Sequence, residues 1–97
     1  MNEQIYFGIS IENPIVSDGK ITNVVTSTDE NIFKTVSEAE SECLRIMITC
    51  ISAAVESLNK NVSCVKRELG AGRLPMYAVH IDDKVVWFSV ICLKVKN

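Results

Sequence analysis

The sequence predicts an α+β domain, an antiparallel sheet of four to five strands packed on one long helix in the order ββ-α-βββ. Three observations carry that expectation. Residues 5–12 alternate apolar and polar, as a half-buried strand does. Residues 37–60 repeat their apolar side chains at helical spacing. Two tight-turn pairs, Asp18-Gly19 and Asp82-Asp83, each sit between strand-like runs. All 97 residues then make a single domain.

The first strand sets Ile5, Phe7, Ile9 and Ile11 on one side and Tyr6, Gly8, Ser10 and Glu12 on the other. Asn13-Pro14 interrupts it, because proline has no N–H for a sheet ladder. The chain resumes over residues 15–17, turns at Asp18-Gly19 and returns to about residue 26, a hairpin with a bent first arm. Residues 27–34 read as a polar loop, with Ile32 and Phe33 as anchors on the core. The helix start is signalled twice: Thr35-x-x-Glu38 and Ser37-x-x-Glu40 both fit a capping box, and Glu38, Glu40 and Glu42 crowd its positive end. At the other end Glu56 and Lys60 form an i,i+4 pair, and Asn59 or Asn61 supplies a left-handed residue. Residues 62–68 follow as a short strand, 70–75 as a turn, and 76–81 with 85–95 as a second hairpin.

Two of these elements carry more apolar surface than one sheet on one helix requires. The apolar side chains of the helix sweep roughly 220° of its circumference, where a flat sheet needs about 100°. The last strand has Val85, Trp87, Ile91, Leu93 and Val95 on one side and Val86, Phe88, Val90 and Cys92 on the other. A second copy of the chain covers such surplus most simply, since a twofold contact buries the same patch twice. Met47, Ile51 and Leu58 are expected against the sheet, with Leu44 and Val55 at one margin; Trp87 and Tyr77 are of a type that faces a partner, but packing on the helix is the expectation for Trp87. Ile46, Cys50 and Ala53 on the helix, and Val86, Phe88 and Val90 on the far face of the last strand, are the interface candidates.

Composition limits the chemistry. With 47% hydrophobic and 23% charged residues the chain is an ordinary globular one, and no apolar run reaches the roughly 18 residues of a membrane span. The first residues lack the basic start and apolar stretch of a signal peptide, so a cytoplasmic location and reduced cysteines are expected. Cys43 and Cys50 are a full seven residues apart on one helix, too far for a disulfide, and there is no CxxC spacing. With His80 the only histidine, neither a metal site nor a cofactor is expected. Residues 1–48 hold eight acids against three bases and residues 49–97 four against seven, an asymmetry too mild to indicate nucleic acid.

The one segment with a chemical accent is residues 66–73. Lys66, Arg67 and Arg73 flank Gly70 and Gly72, which would let backbone amides approach a small anion such as a nucleotide; the plainer reading is a turn with solvated bases. It matches neither a Walker spacing nor GxGxxG. A Cys–His nucleophile pair lacks context, because Cys43 follows three glutamates that raise its pKa. The acid pairs Asp29-Glu30 and Asp82-Asp83 fall in loops. The expected function is therefore a small non-catalytic protein-interaction module, a regulator, inhibitor or assembly factor, acting as a homodimer and engaging another protein. The alternative is an anion binder working through residues 66–73.

Overall fold

The computed structural model describes residues 3–57, 59–68, 74–82 and 84–96. Five strands, β1 (Glu3–Ser17), β2 (Lys20–Thr28), β3 (Val62–Glu68), β4 (Pro75–Ile81) and β5 (Lys84–Lys96), form one antiparallel sheet in the spatial order β2-β1-β5-β4-β3. The helix α1 (Val36–Ser52) packs on one face of it. No helix among the described residues is long and apolar enough to cross a membrane.

Local chemistry makes the elements. Asp18 and Gly19 both have positive φ, 52° and 75°, the two-residue turn whose twist matches that of the strands it joins. The first arm is one continuous strand of 15 residues. Pro14 is tolerated because the β1–β5 ladder ends at Glu12↔Trp87, so no neighbour on that side needs its N–H. The irregularity falls one step later, where pairing with β2 shifts between Ile15 and Val16. The loop after β2 is shorter than the sequence suggests, since β2 runs to Thr28. Phe33 anchors it through paired backbone hydrogen bonds with Phe7, both 2.8 Å. Ile32, its neighbour in extended chain, is 55% exposed and anchors nothing.

Thr35 is the helix N-cap, its Oγ1 accepting from the Glu38 N–H at 3.2 Å. Thr35→Ala should lower the unfolding free energy by about 1 kcal/mol, read as a shift in the urea midpoint. Regular α-helix stops at Ser52, and Ala53–Ser57 continues in wider turns. Asn59, at φ 52°, ends the run. Lys60 turns from the expected Glu56 to Asp82, 3.2 Å away. Asp82 also accepts the Asn61 N–H at 3.0 Å, so the β4–β5 turn is tied to the chain entering β3.

The core is Ile9, Ala39, Cys43, Met47, Tyr77, Val79, Val86, Phe88 and Val90. It corrects the expected layout twice. First, Val86, Phe88 and Val90 face α1, so the interface role expected for them falls away; Phe88 is 2% exposed within the single chain. Trp87, expected on the helix, lies on the opposite face. The reason is register: Ile11↔Phe88 and Ile9↔Val90 put these side chains on the side where β1 is apolar. Second, the sheet covers a narrower stripe of α1 than its apolar arc. Ala39, Cys43 and Met47 are buried at i,i+4 spacing, with Leu44, Ile46 and Ile51 half-buried beside them. Ile46, expected beyond the reach of the sheet, therefore packs on the core, and Ile51, expected buried, is only partly so. Cys50, Ala53 and Val55 are exposed, and Ile48 is 62% exposed. Leu58 lies outside the described residues.

Candidate interaction surface

Side chains alternate along a strand, so the register that fills the core also composes the second face of the sheet. Trp87 stands in its middle, paired with Glu12 on β1 and Ala78 on β4. Ser89, Ile91 and Leu93 continue along β5 opposite Ser10, Gly8 and Tyr6. On β4 and β3 the same face carries Met76, Ala78 and His80, then Ser63, Val65 and Arg67. On the other flank it carries Pro14 and Val16, opposite Val24 and Ile21 of β2. None of these side chains belongs to the cluster under α1.

The face is largely apolar and open. Trp87, Val85, Ile91, Leu93 and Met76 are half-buried by their neighbours in the sheet, while Ile21 is 66% and Val65 43% exposed. Leu93 leans over the bare backbone of Gly8, where an added Cβ would come within 2.9 Å of Leu93 Cδ1. Beside Trp87 a hollow of about 270 Å³ is lined by Pro14, Val16, Ile21, Val24 and Val85 together with Glu12 and Lys84. Its charged side chains lie on either side of β5, Glu12 on β1 directly beside Trp87 and Arg67 on the edge strand β3.

The opposite face holds the described polar cluster. The Tyr77 hydroxyl donates to Glu40 Oε2 at 2.6 Å, Lys66 Nζ lies 3.1 Å from the same oxygen, and Lys66 sits 5.8 Å from the Tyr77 ring centroid. Glu40, expected to cap the helix, thus reaches down to β4 and β3. The Tyr77 hydrogen bond, helped by Lys66, holds its carboxyl below the usual value. Burial, with Glu40 second, pushes Tyr77 up to about 12, and burial likewise pushes the Cys43 thiol to about 11. A tyrosine and a thiol this hard to ionise are poor nucleophiles, and the cluster is a tie between helix and sheet. Tyr77 titrates at 10.0 when unperturbed and at about 12 in the fold, so its contribution is full below pH 10 and is lost as pH rises toward 12. Tyr77→Phe should cost about 1–2 kcal/mol at neutral pH and make unfolding less sensitive to alkali, as urea titrations across that range would read.

The other sequence candidates do not converge. Lys66 and Arg67 are consecutive on β3 and point to opposite faces, Lys66 toward Glu40 and Arg67 toward the open side. Gly70, Gly72 and Arg73 lie outside the described residues. His80 sits on the open face, whereas Cys43 and Cys64 are on the helix side. Among the described residues no three of His, Cys, Asp or Glu gather as metal ligands do. Trp87, weighed from the sequence as a partner-facing residue but set on the helix, stands with its neighbours on this open face. Their signal was present in the last strand, but both of its faces are apolar and either one suited the helix. Comparison of the chain with protein-family models, with curated proteins and with solved structures finds no match.

Proposed function

We propose that the protein is a small cytoplasmic, non-catalytic interaction module that acts as a homodimer, with the Trp87 face of the sheet as the contact between copies. The supporting observation is a five-strand face whose central strand β5 presents Val85, Trp87, Ile91 and Leu93, with the charges Glu12 and Arg67 on strands to either side. Strands about 4.8 Å apart and paired over some eight residues make a face of roughly 600–700 Å². Specific interfaces bury about 600–1,000 Å² per partner, so a second copy of the same face is large enough. Trp87, Tyr6 and Met76 are residue types that interface centres favour.

The charges suit a copy of the same chain. A twofold axis along β5 lays each β1 over the partner's β4, and so brings Glu12 to the half of the partner that carries Arg67. Two sheets stacked in this way form a sandwich about 10 Å deep, with the two α1 helices on its outer sides. Those outer sides remain available to another protein, as a regulator, inhibitor or assembly factor requires. Light scattering at micromolar concentration should give twice the 10.8 kDa of the chain. A mass of one chain there would end the reading.

A further inference from the structure

We infer that β2 is a pairing edge, and that its occupant is β2 of a second copy, added antiparallel about Thr26. The two edges of the sheet differ sharply. β3 carries Lys66, Arg67 and Glu68 among its seven residues, the kind of charge that keeps an edge from pairing. β2 has nine residues, all exposed, and its one charged residue, Lys20, is at its start. From Ile21 to Thr28 no charged side chain guards it.

The backbone fixes which groups face outward. Pro14 has no N–H and stands opposite Val24, so this is a pair without ladder hydrogen bonds, and the N–H of Val24 points away from β1. That N–H is met by its neighbour's side chain, Asn23 Oδ1, at 2.9 Å. Asp29, of the other parity, bonds inward to the Ile9 carbonyl at 3.0 Å. Val24, Thr26 and Thr28 therefore present their N–H and C=O groups to the outside. This triplet is complementary to itself: with Thr26 opposite Thr26 of the second copy, Val24 meets Thr28 and Thr28 meets Val24. β-branched residues then face β-branched residues, with no like charges opposed. Pairing with the guarded β3 of another copy would bring its charges onto this row, and would by itself make an open chain, whereas β2 on β2 taken alone closes on a twofold.

The inference stands apart from the sheet-face reading, and one set of measurements separates them. In Thr26→Pro the lost N–H is an outward one, so β1–β2 pairing survives while the edge loses its central donor. Light scattering at near-millimolar concentration should show a mass above two chains that grows with concentration for wild type, because each face dimer carries a free β2 on either side, and two chains for Thr26→Pro. Amide exchange read by NMR on the wild-type protein needs no variant: the Thr26 and Thr28 amides should be protected at that concentration and lose protection on dilution. A two-chain wild type that Thr26→Pro splits and Trp87→Glu does not would uphold the edge and remove the face contact. Thr26 and Thr28 amides that exchange as freely as solvent-facing ones at every concentration would overturn the pairing and leave the face reading untouched.

Discussion

Phe88→Ala should lower the unfolding free energy by about 3–5 kcal/mol, a large share of the 5–15 kcal/mol typical of a domain. Phe88 is among the largest fully buried side chains of the protein. It packs with Ile9, Val79, Val86, Val90, Cys43 and Met47, and truncation leaves a void that strands held on both sides by ladders cannot close. Phe88→Glu is the more telling variant. Were Phe88 at a subunit contact, the charge would separate two folded chains. Placed under α1, it is a buried carboxylate without a partner and should unfold the chain itself. Far-UV circular dichroism and a urea titration distinguish these outcomes. A folded Phe88→Glu monomer would show that β5 turns its other face to the helix.

Trp87→Glu should have the opposite character: the chain stays folded and the dimer comes apart. Trp87 is half-buried within its own chain, and the hollow beside it is open, so a glutamate there reaches water in the monomer. In the proposed sandwich the same carboxylate is enclosed by a second apolar face. A twofold contact repeats the change, and an uncompensated buried charge costs several kcal/mol at each occurrence. Light scattering at micromolar concentration should read one chain in place of two, with an unchanged far-UV spectrum. An unchanged mass would place the contact elsewhere.

Much of the fold was legible because it is decided over a few residues. Asp18-Gly19 needs only its own backbone freedom to make the turn, Thr35 needs only the N–H three residues on, and Asn59 ends the helix by its own positive φ. The number, order and type of elements follow from such signals and from periodicity. The five-strand antiparallel sheet with one helix, in the order ββ-α-βββ, is what the chain forms.

What the sequence left open are choices between elements far apart in the chain. The sheet is built around β1 beside β5, the first strand against the last, and no local signal specifies that neighbour. Glu40 reads as a capping residue until β4 and β3 bring Tyr77 and Lys66 to it. The face of β5 is the clearest case. Its two sides are nearly equal in apolar content, so its own alternation does not say which one meets the helix. β1 is unequal: Ile9 and Ile11 on one side, Gly8, Ser10 and Glu12 on the other. Hydrogen bonding to β1 in the register Ile9↔Val90 and Ile11↔Phe88 settles the matter, because one strand with a definite apolar side imposes it on a neighbour that has none. The sequence by itself determined that apolar surface would be left over, and only the tertiary pairing decided that this surface is Trp87 and not Phe88.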